Sequence, residues 1–317
     1  MLFGKYRFIC ELQGDAILPY YKGSTFRGVF GHALKRVVCV LKQRECEACP
    51  LKARCVYATV FETPVAMQVP EGSKISTPPH PFVIEPPLTE QRDFKKGETF
   101  ECALLLFGKV NKYIPHFVYA FAEMGKLGIG KRVNGRRAGF RLEEVRNGTE
   151  VLYSAREQYI KRDHPIEHLA LNREQVLSDG KTQKATPIRV TLQTPLRLKF
   201  RNALSRADLP FHVLVRAMLR RVSALFNVWN GGEPDLDYRG LVRRAEDVTM
   251  VRNDLSWFDW QRYSNRHERR MLMGGMVGSV VYEGRLGEFM PLLELSSKVH
   301  LGKNTSFGLG KMDVNVL

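Results

Sequence analysis

The stretch His300-Leu301-Gly302-Lys303-Asn304-Thr305-Ser306-Phe307-Gly308-Leu309-Gly310-Lys311 decides how the rest of the chain is read. It places three glycines and two lysines within twelve residues. Leu309, Met312, Val314 and Val316 follow as the apolar positions of a closing β-strand. Glycine admits positive φ and lets a second backbone approach closely. Two readings of the stretch follow from these residues. One is a concave site in which turn N–H groups and lysines hold an anion, for a basic chain the phosphate of a nucleic acid. The other is a tight turn into the last strand.

Upstream, Pro187 to Phe200 alternates apolar and polar residues and reads as a strand. Leu209 to Trp229 carries Phe211, Leu214, Val215, Met218, Leu219, Val222, Leu225 and Phe226 at helical spacing, with Arg216, Arg220 and Arg221 off that face. Val248–Tyr263 and Met271–Tyr282 read as a long hairpin, and Glu288–Ser296 as a final helix. The first half repeats this order. Phe3–Leu12 is a strand, Thr25–Val40 a helix, Phe82–Ile84 a short strand and Thr99–Val110 a longer one. Tyr113–Lys126 is the second helix, followed by a glycine-rich turn and a strand at Phe140–Val145. Both halves therefore read as βαββαβ, the ferredoxin-like plan. The expected class is α+β: tandem ferredoxin-like (RRM-like) domains with a C-terminal glycine-rich loop and a cysteine-rich insertion. The expected boundaries are 1–150 for the first domain with its insertion at 39–57, 151–186 for a connector, and 187–317 for the second domain. The connector is expected to hold a hairpin and a short helix near Ile166–Asn172, with His164 and His168 on a solvated polar face.

Lys and Arg number 49 against 33 Asp and Glu, a formal charge of +16 spread from Lys5 to Lys311. A basic folded body of this kind points to a polyanion partner, most often nucleic acid. No apolar run reaches the ~18–20 residues of a spanning helix, and the N-terminus lacks a signal-peptide plan. A cytoplasmic protein with no membrane partner is the expectation. Six cysteines in 317 residues are not a secreted disulfide framework.

Four of those cysteines, Cys39, Cys46, Cys49 and Cys55, are spaced C-x6-C-x2-C-x5-C. Four thiolates suit a tetrahedral structural zinc, and C-x2-C is its usual chelating half. The segment is short and polar, so a metal can order what packing does not. An iron–sulfur cluster takes the same ligands but has no evident electron-transfer partner here. Unpaired thiols are the bland alternative.

On the first helix His32 stands three residues before Lys35 and four before Arg36, so either cation can flank the imidazole. Tyr20 and Tyr21 lie just upstream of the helix. A phenol, an imidazole and a cation supply what metal-free RNA cleavage needs: a base for the ribose 2′-OH, an acid for the leaving 5′ oxygen, and positive charge for the phosphorane. A lone helical histidine is more often structural or merely exposed. The segment Arg262-Tyr263-Ser264-Asn265-Arg266-His267-Glu268-Arg269-Arg270 holds five Arg or His in nine residues, a basic hairpin tip that can reach an RNA backbone.

The glycine-rich stretch, Gly274-Gly275, the Arg262–Arg266 segment, Lys22–Arg36 and the cysteine segment together resemble the CRISPR repeat-RNA processing endoribonucleases of the RAMP superfamily, over nearly the whole chain. The resemblance implies an endoribonuclease that cuts CRISPR precursor RNA within repeats by 2′-OH attack. No metal acts in catalysis, and the ends are a 2′,3′-cyclic phosphate and a 5′-OH. His32 is then the base or acid, Tyr21 orients or donates a proton, and Lys35, with Arg36 as substitute, stabilises the phosphorane. Arg262, Arg266, Gly302, Lys303, Gly308, Gly310 and Lys311 hold the RNA backbone, and His300 is the rival catalytic residue. The partners implied are repeat RNA and other subunits of a CRISPR effector complex. A non-catalytic RNA-binding subunit of such a complex is the alternative. A zinc-containing DNA-binding regulator is a third reading, without a visible helix-turn-helix to carry it.

Overall fold

The structure is a computed structural model that describes all residues except 43–44, 74, 162, 173–185, 201–202, 205–206 and 265–268. It divides into two compact units, Met1–His168 with Val228–Asn230, and Leu169–Asn227 with Gly231–Leu317.

The first unit is built on an antiparallel sheet of β1 (Leu2–Leu12), β2 (Phe82–Glu85), β3 (Thr99–Phe107), β4 (Phe140–Asn147) and β5 (Glu150–Ser154), in the order β2-β3-β1-β4-β5. Helix α1 (Gly23–Val38) connects β1 to β2, and α3 (Ile114–Leu127) connects β3 to β4; α2 (Val56–Phe61) lies in the insertion between α1 and β2. Strands β1 to β4 are thus the expected βαββαβ. Tyr6, Phe8, Cys10 and Leu12 alternate with Lys5, Arg7, Ile9 and Glu11, and the first set is fully buried. Phe8 stacks on Phe121 of α3 at 3.8 Å between ring centroids, and Phe30 of α1 meets the same ring at 5.1 Å. Each such fully buried side chain contributes roughly 1.5–3 kcal/mol. The sheet core and the two helices are therefore held by one aromatic cluster.

The second unit repeats the plan. Strands β6 (Ile188–Leu196), β7 (Thr249–Phe258), β8 (Gly275–Glu283) and β9 (Met312–Val316) form an antiparallel sheet in the order β7-β8-β6-β9. Helix α4 (Phe211–Trp229) follows β6, and α5 (Met290–Val299) follows β8. Phe211 packs edge-on against Tyr282 and Phe289, at 4.9 and 5.0 Å. Strand for strand, this is the order of β1 to β4 in the first unit, so the duplication expected from sequence is present in topology.

Two expectations change. Residues 151–168 belong to the first unit rather than to a connector. Glu167–His168 is a two-residue strand paired with Leu2 and Phe3, not part of a helix. Just beyond it Leu169 and Leu171 are both buried, and that period of two belongs to extended chain. No helix among the described residues is long and apolar enough to cross a membrane.

Candidate active site and nucleic-acid interface

Helix α1 buries Phe26, Val29, Phe30, Ala33 and Leu34. That stripe leaves His32 and Arg36 exposed, one helical turn apart. Lys35 is half-buried, and its Nζ lies 5.4 Å from the centre of the Tyr57 ring on α2. Tyr57 in turn stacks on Phe61 at 5.4 Å. The insertion thus props the lysine that stands beside His32. Lys35 and Arg36 occupy the last turn of α1, where positive charge complements the helix dipole.

The start of the helix is built differently. Lys22 is only 1% exposed and donates to the carbonyls of Tyr20 at 3.2 Å and Thr89 at 2.6 Å. Burial, and next to it the charge of Arg92, lowers its pKa. The lysine clamps the loop that carries Tyr20 and Tyr21. Tyr20 reaches out to Glu90 at 2.9 Å, while Tyr21 is half-buried. Burial, with a smaller contribution from Glu85, pushes the Tyr21 hydroxyl far above the ordinary phenol range. A phenol so shifted is a weaker acid. Counting 1.5 Å per residue, His32 also stands about 14 Å along the axis from the helix start beside which Tyr21 sits. Tyr21 precedes the helix start, whereas His32, Lys35 and Arg36 fall within its last two turns.

In the second unit the glycine-rich stretch is largely buried. Several of its N–H groups bond within the protein. Leu301 N donates to Gly310 O at 2.9 Å, Lys303 N to Arg197 O at 3.0 Å, Gly308 N to Thr305 O at 2.8 Å and Gly310 N to Pro195 O at 3.1 Å. Thr194, 2% exposed, donates its hydroxyl to Gly308 O and accepts from Lys311 N, both at 2.8 Å. The glycines are required by geometry. Gly310 has φ +76° and a Cβ there would lie 1.8 Å from Leu301 O; Gly302 has φ +79° with Arg197 O at 2.6 Å. Gly308 and Gly310 are buried and shape the loop from within. Gly302 and Lys303 are exposed, and Lys311 is half-buried. The stretch is a knot on the end of β6 that offers two residues to solvent, rather than an open ring of N–H donors.

His300 has no exposed surface, and its Nδ1 is 3.1 Å from Leu309 O. It has φ +57° as the cap of α5. Its ring staples the two ends of the glycine-rich stretch. An imidazole so placed does not meet a phosphate without the loop opening.

Arg262 lies on the strand Gln261–Ser264, paired with Arg269–Leu272; Arg266 lies outside the described residues. All four insertion cysteines are half-buried free thiols. Among the described residues no group of three or more His, Cys, Asp or Glu side chains is arranged to hold a metal ion. The structural zinc, or cluster, expected from the spacing is therefore not carried by the geometry. Order at this end of the chain comes from the helix that follows the cysteines. Ala58, Val60 and Phe61 of α2 are buried, and Phe61 packs on Phe30 at 5.7 Å and Phe82 at 4.9 Å. Apolar packing orders this helix, which follows directly on the last of the four cysteines.

Sequence reasoning missed Thr194, the clamp on the loop, and Arg197, whose carbonyl accepts from Lys303 N while its side chain reaches Gly274. Arg197 Nη1 donates to Gly274 O at 2.9 Å. Neither has a local signal: each is defined by a partner about eighty or more positions away.

Comparison with known proteins gives a consistent result. The family model described as an N-terminal domain, AF_1859_N, matches residues 1–165, and the model of the CRISPR-associated endoribonuclease Cas6 matches residues 190–312. A protein of Archaeoglobus fulgidus, described as uncharacterized, is 24% identical over 299 residues, covering 92% of this chain and 91% of its own. The structure of Thermus thermophilus Cas6 matches with a TM-score of 0.52 at 13% identity, covering 99% of both chains. A Cas6 product complex matches at 0.54 and 16% identity, over 98% of this chain and all of that one. A Cas6-RT-Cas1–Cas2 complex matches at 0.59 and 14% identity, and there the chain spans only 46% of the longer relative. At these identities the solved structures speak for the fold. One family model covers 165 of the 317 residues from the N-terminal end, and the Cas6 model covers most of the second unit. By the model that matches more than half of its residues the chain belongs to the AF_1859_N family, and its residues 190–312 are similar to the CRISPR-associated endoribonuclease Cas6.

Proposed function

We propose that this protein is an endoribonuclease that binds CRISPR precursor RNA and cuts it within the repeats. The observation that carries the reading is the exposed His32 on α1, flanked by the exposed Arg36 and the propped Lys35. The Cas6 family match supplies the substrate class. The chemistry follows from the residue types. His32 takes the proton from a ribose 2′-OH. The freed oxygen attacks the adjacent phosphorus, and the 5′ oxygen leaves with a proton. The products are a 2′,3′-cyclic phosphate and a 5′-OH, and no metal is needed in the step. Lys35 and Arg36 place positive charge where the phosphorane gathers negative charge. Lys303, exposed at the glycine-rich stretch, contacts the RNA backbone together with Arg262 and Lys311. Gly302 allows the backbone to approach, and Gly308 and Gly310 hold that stretch in shape. Tyr21, half-buried ahead of the helix, orients the loop before α1.

The test uses labelled repeat RNAs in excess EDTA, with His32→Ala and His300→Ala beside the wild type. A single cut in EDTA, lost with His32→Ala, supports the reading. Loss only with His300→Ala moves the site to the second unit. Tight binding without a cut across several repeats overturns the cleavage step and makes the protein an RNA-binding subunit of a CRISPR effector complex.

A further inference from the structure

A cleft of about 580 Å³ opens in the second unit, wholly within that unit. Its walls come from the chain after β6, from α4 and from the glycine-rich stretch. Five cations line it: Arg197, Arg216, Arg220, Arg221 and Lys303. Among the lining residues Glu246 is the one carboxylate. Leu198, Val213 and Ala217 give it apolar surface, and His212 adds a flat ring.

The cations fall into two sets. Arg197 and Arg221 are fixed by backbone carbonyls. Arg197 donates to Gly274 O, and Arg221 donates through Nε and Nη2 to Val299 O at 3.2 and 3.1 Å. Burial pushes the pKa of Arg221 down to about 10, so it stays charged at neutral pH. Arg216 and Arg220 are exposed on α4, one turn apart, and among the described residues neither forms an ion pair. Holding that much like charge around one concavity is unfavourable unless an anion occupies it. An apolar wall with a ring, a basic rim and this volume suit a small ligand with a flat face and a phosphate.

We infer that this cleft is a nucleotide site, in which Arg216 and Arg220 hold the phosphate and the apolar wall receives the base. The occupant is one unstacked nucleotide of a single-stranded RNA segment, with a free nucleotide as the other source of the same chemistry. The inference rests on the RNA reading for the source of the strand, but not for the site. It adds a binding subsite on α4, away from the imidazole of α1 in sequence and in unit.

The experiment measures binding of a short single-stranded RNA and of AMP to the full chain by fluorescence anisotropy and competition. It compares wild type, Arg216→Ala/Arg220→Ala, and Arg285→Ala, an exposed arginine of the same unit that does not line the cleft. Thermal melts confirm that the variants are folded. The expected result is at least a tenfold loss of affinity for the RNA in the double variant. The slope of log Kd against log salt should fall by about 1, with Arg285→Ala close to wild type. AMP binding lost in the same variant, with no gain from a longer strand, supports the site and assigns it to free nucleotide. Binding of both probes unchanged in the double variant overturns the inference. A wild type that binds but never cuts repeat RNA overturns the cleavage reading and leaves this one standing.

Discussion

The two units share one topology and distribute their charge in opposite ways. In the first, the outward-facing residues of the sheet are cations with carboxylates beside them. Lys5 meets Glu85 at 3.4 Å, Arg7 meets Glu101 at 3.8 Å and Arg141 meets Glu11 at 3.5 Å, while Arg146 pairs with Glu144. In the second, five cations line a cleft with Glu246 the one acid among them. Exposed ion pairs add little to stability, about 0–1 kcal/mol each. What the pairs of the first sheet do is cancel its field. A duplicated fold has thus kept a neutral face in one copy and gathered an uncompensated basic concavity in the other. The first helices differ as well: α1 presents an exposed His32 with two cations, and α4 presents exposed Arg216 and Arg220 with His212 half-buried. A net charge of +16 points to a polyanion partner, and the pairing pattern marks which surface is left with excess positive charge.

The contrast can be broken most sharply at α1. His32→Ala is expected to slow single-turnover cleavage of repeat RNA by about 10²–10⁴-fold, as loss of a general base does, with RNA affinity little changed. Equal losses of cleavage and affinity would mean that the imidazole only binds. The next largest effect should fall on the loop of the second unit. Gly310→Ala introduces a Cβ 1.8 Å from a backbone carbonyl at φ +76°, and about 3 kcal/mol of destabilisation is expected from the urea midpoint. Thr194→Val removes two hydrogen bonds at 2.8 Å and leaves Lys311 N and Gly308 O without their partner. A loss of about 2 kcal/mol should appear in the same unfolding curves. A wild-type midpoint in either variant would show that the knot on β6 is not what the stretch contributes. The smallest effect belongs to the balanced sheet. Arg7→Ala together with Glu101→Ala should change stability by less than about 0.5 kcal/mol and leave the salt dependence of RNA binding as it was. A weakened salt slope there would abolish the distinction between the two surfaces.

Much of the fold was legible because its signals are local. The alternation Tyr6, Phe8, Cys10 and the helical stripe Phe26, Val29, Phe30, Ala33, Leu34 each specify an element and the face it buries. The same holds for Phe211, Leu214, Val215 and Met218. Where the local signal was weak, the reading failed. Glu167–His168 takes its conformation from pairing with Leu2 and Phe3, more than 160 residues away in sequence. The cysteine spacing pointed to a metal, while Phe61 packed on Phe30 and Phe82 orders the helix that follows the cysteines. His32 was legible as an exposed helical histidine between cations. Nothing in the order of residues distinguished it from His300, because the difference is burial.

By itself the sequence determined that two βαββαβ units follow one another, that the body is basic, and that a helix near the start carries an imidazole beside two cations. Periodicity and composition are properties of neighbouring residues, so they survive without coordinates. Only the tertiary structure decided that the glycine-rich stretch turns its N–H groups inward, that His300 is a staple and that Arg216 and Arg220 share a cleft with Lys303. Those facts depend on which distant backbone supplies an acceptor, a carboxylate or a wall, and contacts of that range are fixed only when the chain has closed on itself.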